Sequence, residues 1–394
     1  MGGPAGAGWA WDLRVPSDSS MSLKSKRLPV QERESQSFGG SNVARSFGLS
    51  NLNSQSIVLI SEITQVGEAR RRAVQAAAAA GFNETDCGKA AIIASELATN
   101  QARYATGGEI HLSTYGGDRR CLDIVAIDRG PGMENVARSL TDGYSTGGTS
   151  GTGLGAAQRL ATEFEIYSTQ PKGTVIVCRL RDDQSKDDNT PFRFGVASRP
   201  APHETVSGDS WSIAKCDGQL AISMVDGLGH GPEAAAAAAE AISAFESDPF
   251  RALPAICELS HKRMRGTRGG ALAVAHLDVR AATLKYVGVG NIAGHLRTVP
   301  GETGRGLFSH NGTVGVQIRK IQEFSYECPQ EGLLVMHSDG LQTRWSLEAY
   351  PGLALRHPAA IAAVLYRDFT RGKDDVTVAV VRISSTHWLG RHAA

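Results

Sequence analysis

No apolar run in the sequence approaches the roughly 18–20 residues that cross a bilayer as a helix, which argues against a helical integral membrane protein. The six cysteines, Cys87, Cys121, Cys178, Cys216, Cys257 and Cys328, are scattered. They form no C-x-x-C pair and have no histidine at zinc-finger spacing, so zinc modules and dithiol redox motifs are excluded and the thiols read as reduced. Charge of one sign is also lacking, since 41 Lys plus Arg against 40 Asp plus Glu leave a net +1. That balance carries no electrostatic footprint for nucleic acid or for an anionic lipid surface. The opening MGGPAGAGWAWDLR lacks the basic-then-apolar order of a secretory signal. No G-x-x-x-x-G-K-[ST] loop occurs, which rules out a P-loop hydrolase, and no internal repeat relates the two halves. These absences predict a cytoplasmic protein with neither nucleic acid nor membrane among its partners.

What is present is an ordinary globular composition, 41% hydrophobic and 21% charged over 394 residues, which suits two or three cored domains. Residues 1–50 are rich in Ser, Gly, Pro and Arg without a sustained period, and are expected to be a flexible tail. From there a first helix-and-sheet domain is expected over 51–181. It has a strand at 56–60, helices at 64–80 and 84–104, and strands at 109–114, 122–127, 165–168 and 174–180. The polar stretch 182–191 reads as a linker. A second α+β domain is expected over 192–385, with helices at 232–246, 249–263 and 358–369, and a short tail over 386–394.

Three segments of the first domain carry chemistry. In SELATNQARYA, Glu96 and Asn100 stand four residues apart and project from one helical face. A carboxylate and an amide at that spacing serve a magnesium-bound phosphate, the amide oxygen ligating the hard cation. In IVAIDRGPGM, an apolar strand ends in Asp128, followed by Gly130 and Gly132. A carboxylate there reads an exocyclic amine, and the glycines let backbone approach a flat ring. In the loop 143–161, Gly151, Gly153 and Gly155 lead into a helix whose first N–H groups favour phosphate. A dinucleotide-binding fingerprint fails there, because no strand directly precedes the glycines.

The second domain places carboxylates at element ends: Asp209 in SGDSW, Asp226 in VDGLGHG, Asp339 in HSDGL, and Asp374 in GKDDVTV. Several carboxylates aimed at one sheet edge are costly unless a cation neutralises them. All-oxygen ligation suits magnesium or manganese rather than zinc.

The order ExxxN, DxGxG, GTGLG, then Gly173–Thr174 resembles the GHKL (HATPase_c) ATPase family, and SELATN, DRGPGMENV and EFEIYST look most like its RsbT-type serine switch kinases. The likeness spans about 55–181. It implies ATP with magnesium as cofactor and Glu96 as the base toward an acceptor serine. Asn100 would hold the magnesium, and Asp128, with Gly130 and Gly132, the adenine. Gly151, Gly153, Leu154 and Gly155 would close over the phosphates, with Thr174 at the adenine end. No phosphorylatable histidine box precedes it, which argues against a histidine kinase.

The order GD, VDGLGHG, YVGVGN, SDGL, DDVT resembles the metal-dependent serine/threonine phosphatases of the PPM/SpoIIE type, closest to the RsbX-like branch, over about 192–384. It implies two manganese or magnesium ions on Asp209, Asp226, the Gly227 carbonyl, Asp339 and Asp374, with Asp375 the weaker candidate of the last pair. His230 would act as an acid toward the leaving oxygen, a helix-start structural role being the alternative. The phosphate-gripping arginine of eukaryotic relatives has no counterpart here. His203, His276, His295, His310 and His337 read as structural or surface groups.

The implied architecture is α+β, a Bergerat-type α/β sandwich followed by a PPM-type β-sandwich flanked by helices. The implied function is bifunctional partner switching, adding phosphate to and removing it from a STAS-domain antagonist or anti-antagonist. The alternative is an anti-sigma-like interaction domain that binds ATP without kinase turnover, fused to an active phosphatase.

Overall fold

The computed structural model describes residues 47–50, 55–115, 120–140, 153–181, 190–301, 304–386 and 388–389, all within one compact unit. The first part runs β1 (Phe47–Ser50), β2 (Gln55–Ile60), α1 (Val66–Ala79), α2 (Glu84–Tyr104), β3 (Gly108–Tyr115), β4 (Cys121–Ile127), α3 (Val136–Ser139), α4 (Gly153–Leu160), β5 (Glu163–Thr169) and β6 (Gly173–Arg181). The second runs β7 (Phe192–Arg199), β8 (Asp209–Cys216), β9 (Gln219–Gly227), α5 (Pro232–Glu246), α6 (Leu253–Arg263), β10 (Gly270–Asp278), β11 (Thr283–Val289) and β12 (Ala293–Thr298). It ends with β13 (Gly304–Leu307), β14 (Gly312–Thr313), β15 (Gln317–Ile318), β16 (Phe324–Glu327), β17 (Glu331–His337), α7 (Pro358–Phe369) and β18 (Val376–Ser384).

Local sequence sets the main elements. In α1, Ala69, Ala73 and Ala77 recur at four-residue spacing and are buried, while Arg70–Arg72 face out. Asn83 caps α2 by accepting from Asp86 N–H at 2.9 Å, and the acidic residues Glu84 and Asp86 in its first turn complement the helix dipole. Strands β3, β4 and β6 are buried along almost their whole length, as a sheet covered on both faces requires.

Three main sheets result, in the orders β2-β3-β4-β6-β5, β13-β12-β17-β18-β7 and β1-β8-β9-β10-β11-β16. One face of the first packs on α1, α2 and α4 through Ile93, Leu97, Ile110 and Ile124. Its other face, with Val125, Val175 and Val177, meets α7. The opposite side of α7 meets Val335, Val378 and Val380 of the second sheet. The second and third sheets enclose Phe192, Trp211, Ile222 and Met336, and α5 and α6 cover the far side of the third. The helix α7 reads PAAIAAVLYRDF, and Pro358 through Arg367 are all buried. A helix apolar on every side is stable only when enclosed, and α7 is enclosed by sheets from both halves.

Polar networks close the same seam. Glu109 on β3 accepts from Tyr366 Oη at 2.7 Å and from Arg199 Nη1 at 2.8 Å, and its other contact is His111 Nε2 at 2.7 Å. Arg179 grips Asp123 with two bonds of 2.6 and 2.8 Å and donates to the Phe194 carbonyl at 3.2 Å. Burial pushes the Glu109 carboxyl up, but the bonds from His111 and Tyr366 and the Arg199 charge outweigh it and hold the group at about 2, below its ordinary 4.5. The stability this contributes is complete above pH 4.5 and fades as pH falls toward 2. A Glu109→Gln variant is expected to lose about 2 kcal/mol at neutral pH, the scale of charged hydrogen bonds. Urea melts between pH 7 and 2.5 check this, because the gap to the parent protein must narrow on acidification.

Several expectations shift. The strand Phe47–Ser50 lies inside the stretch read as a flexible tail, and pairs antiparallel with β8 from Phe47↔Lys215 to Ser50↔Ser212. Backbone pairing there needs no side-chain periodicity, so the composition hid it. The helix expected at 249–263 starts at Leu253, with Pro254 in its first turn, where a missing N–H is harmless. The short strands β12 to β16 carry too little alternation to be recognised. Among the described residues no helix is long and apolar enough to cross a membrane.

Candidate functional site

A cavity of about 870 Å³ opens between α2 and the β4–α3 connection. Glu96, Asn100, Asp128, Gly132, Gly153, Leu154 and Thr174 line it, a size that accommodates a nucleotide. Asp128 follows directly on β4, and its Oδ1 accepts from the N–H groups of Gly130 at 2.8 Å and Thr174 at 3.1 Å. Those bonds fix the carboxylate and leave its second oxygen for a ligand. Burial raises the Asp128 carboxyl above its ordinary range, against the pull of these donors. Gly132 has φ +74°, and a Cβ there would come within 2.7 Å of the Thr169 carbonyl, so only glycine fits. Gly130 and Gly155 are buried and are not among the residues lining the cavity, and Gly151 lies outside the described residues.

Glu96 and Asn100 share one face of α2, four residues apart, as read from sequence. Gly153, at the start of α4, lies so close to the Glu96 carboxylate that any Cβ would collide with it. The Asn100 amide is buried with its Nδ2 unbonded. A buried amide without a partner, facing a cavity, fits a ligand-binding role. Sequence reasoning missed Ser168, whose Oγ lies 2.9 Å from Thr174 Oγ1 and accepts from Met133 N–H at 2.8 Å. It ties the glycine turn to β5 and β6.

The acidic residues of the second half meet where two sheets end. Asp209 and Asp226 are direct partners in the β8–β9 ladder. Asp339 follows β17 and Asp374 precedes β18, which pair with each other. Ser338 Oγ bridges the sheets, donating to Asp209 Oδ2 at 2.6 Å and accepting from Thr377 N–H at 3.0 Å. Burial, then the neighbouring carboxylates, push Asp209 and Asp226 well above the usual carboxylate range, with Asp209, Asp339, Asp374 and Asp375 all pressing on Asp226. Asp209 Oδ1 is buried with no hydrogen-bond partner. An orphaned buried carboxylate oxygen among like charges fits a hard divalent cation. Among the described residues no three His, Cys, Asp or Glu side chains stand together as a group that could hold a metal ion.

Asp375 is committed elsewhere, accepting from Ala201 N–H at 2.8 Å and Gly208 N–H at 2.9 Å, which leaves Asp374 as the freer of the pair. Gly227 ends β9, where a Cβ would run into the Ala234 carbonyl. His230 is exposed, and its Nδ1 lies 2.7 Å from Glu204 Oε1. Glu204 and Asn291, whose Nδ2 donates to Asp339 Oδ2 at 2.7 Å, escaped the sequence reading because their partners are remote in the chain. His295 and His337 are not isolated, since their rings stack at 5.9 Å. Burial lowers His337 to about 4, and it accepts from Trp345 Nε1 at 3.1 Å.

Comparison with known proteins agrees with this division. The histidine kinase-like ATPase domain matches residues 59–180, and the stage II sporulation protein E (SpoIIE) family matches residues 216–384. The serine/threonine-protein kinase RsbT of Bacillus subtilis (strain 168) is 34% identical over 126 residues, 32% of this chain and 95% of RsbT. A bacterial stressosome structure is 29% identical with a TM-score of 0.45, covering 48% of this chain and 99% of that one. The structure of RsbX in complex with magnesium is 19% identical with a TM-score of 0.44, covering 49% and 96%. With nearly all of RsbT aligned to its first half and the SpoIIE family to its second, the chain belongs to the RsbT-type histidine kinase-like ATPases and carries a SpoIIE-type phosphatase domain on the same polypeptide.

Proposed function

We propose that residues 51–181 transfer phosphate from ATP to a Ser or Thr of a STAS-domain protein, and that residues 192–385 remove phosphate from such a site. In the first half, Asp128 accepts from the adenine amine, held in place by Gly130 N–H and Thr174 N–H. Asn100 holds the magnesium of the nucleotide, and Gly153 and Leu154 border the phosphates. Glu96 takes the proton of the acceptor hydroxyl as its oxygen attacks the γ-phosphorus, with ADP leaving.

In the second half, Asp209, Asp226, the Gly227 carbonyl, Asp339 and Asp374 would hold two divalent cations. When bound, these supply the charge that polarises a phosphate ester and activates water for in-line attack. Ser338 and Asn291 fix two of the carboxylates. His230, with Nδ1 occupied by Glu204, presents Nε2 to protonate the departing serine oxygen. With two cations held there, the phosphate would have charged partners without an arginine.

The observation that supports this reading is the presence, in one compact unit, of a nucleotide-sized cavity lined by Glu96, Asn100 and Asp128 and, apart from it, of mutually repelling carboxylates around Asp226. The test is incubation of the full chain with labelled ATP, magnesium and a STAS-domain protein, followed by a manganese chase after ATP removal. Label is expected on Ser or Thr of the partner, then in free phosphate. ATP binding with no transferred label would instead favour the anti-sigma-like binding module.

A further inference from the structure

Arg367 has the largest of the fully buried side chains, and neither half's chemistry accounts for it. It sits on α7, in the phosphatase half. Its Nε and Nη2 grip the Asp368 carboxylate with two bonds of 2.8 Å. Its Nη1 crosses the seam and donates to the main-chain carbonyl of Asp128 at 3.3 Å. The contact is returned, since Arg129 Nη2 donates to the Arg367 carbonyl. The residue whose carboxylate faces the nucleotide cavity therefore has its carbonyl held by a guanidinium of the other half. On that carbonyl's other side lies Gly173, where a Cβ would collide with it. Any displacement of the Asp128 turn must be felt by Arg367.

The same end of α7, within its last turn, reaches the loops that carry the phosphatase carboxylates. Asp368 Oδ2 accepts from Tyr350 Oη at 2.8 Å. The Phe369 carbonyl accepts from Gln342 N–H at 2.9 Å, and Arg371 N–H donates to the Gly340 carbonyl at 2.8 Å. Gly340 follows Asp339, and Asp374 lies three residues beyond Arg371. Hydrogen bonds through the last turn of α7 thus join the main chain of Asp128 to the loops that carry Asp339 and Asp374.

We propose that Arg367 is a cross-domain positioning residue, setting the Asp128 turn for nucleotide and transmitting nucleotide occupancy to the phosphatase centre. This rests on the functional reading above. Coupling between sites is reciprocal and typically about 5-fold to 150-fold, and the route here is direct hydrogen bonding rather than proximity alone.

The experiment uses the full chain with p-nitrophenyl phosphate at saturating manganese, with and without the non-hydrolysable analogue adenylyl imidodiphosphate, and nucleotide binding is followed separately by calorimetry. The nucleotide is expected to change phosphatase kcat about fivefold or more, with KM nearly constant. An Asp128→Asn control should abolish the effect, which excludes metal chelation by the analogue. In Arg367→Met the two turnover rates should converge, and Arg367→Lys should restore part of the difference. Should Arg367→Met fail to fold, Arg129→Met, at an exposed position, carries the test and must at least halve the effect. Binding without any change in kcat, or an effect undiminished in these variants, overturns the inference alone. Absence of both nucleotide binding and phosphate release overturns the functional reading with it.

Discussion

Asp226→Asn is expected to lower manganese-dependent phosphate release on the order of a thousandfold, with Asp339→Asn close behind. Several kcal/mol of transition-state stabilisation comes from a cation pair, and each 1.36 kcal/mol is a decade in rate. The same variant should behave oppositely in stability. Asp226 is pressed by four neighbouring carboxylates, so without divalent ions its removal relieves repulsion. In EDTA the Asp226→Asn protein should melt above the parent. In manganese the parent should gain several degrees and the variant little, because only a cation that binds the folded state stabilises it. Thermal scans in both buffers, beside phosphate release from a phosphoserine protein, check the pair of effects. Full activity of the parent protein in EDTA would defeat the metal assignment.

Glu96→Gln should cut phosphoryl transfer by about 10²- to 10⁴-fold, the usual contribution of a positioned base, while leaving ATP binding close to that of the parent protein. Glutamine keeps the shape that Gly153 packs against but accepts no proton. Calorimetric ATP binding and single-turnover transfer to the partner separate the two quantities. Equal transfer in the variant would remove Glu96 from the mechanism, and a parallel loss of ATP affinity would make it a structural residue of the cavity wall.

The local placement of the candidate residues was more legible in the sequence than their surroundings. Asp226 and Asp339 stand at the ends of apolar runs, and Glu96 and Asn100 fall on one helical face, because local period alone determines those placements. The Asp209–Asp226 pairing depends on ladder register between two strands, and motif order indicated it only through resemblance. Ser338, Glu204 and Asn291 act across gaps of dozens of residues, so their contacts depend on the fold and not on neighbouring sequence. The segment PAAIAAVLYRDF was legible as a helix over 358–369, but its burial from Pro358 through Arg367 was not read from it. Which two sheets would enclose it was not visible, since β3 of one of them, Gly108–Tyr115, lies far earlier in the chain than α7, Pro358–Phe369.

The pairing of Phe47–Ser50 with β8 makes the arrangement nested rather than tandem. The outermost strand of the phosphatase layer is synthesised before the kinase half, and its partner after it. On the ribosome that strand must wait while the whole ATP-binding half emerges and folds, so the order of assembly is written into the topology. A phosphatase fragment cut between β6 and β7 would leave the outer edge of β8 bare, an open ladder prone to recruit other chains.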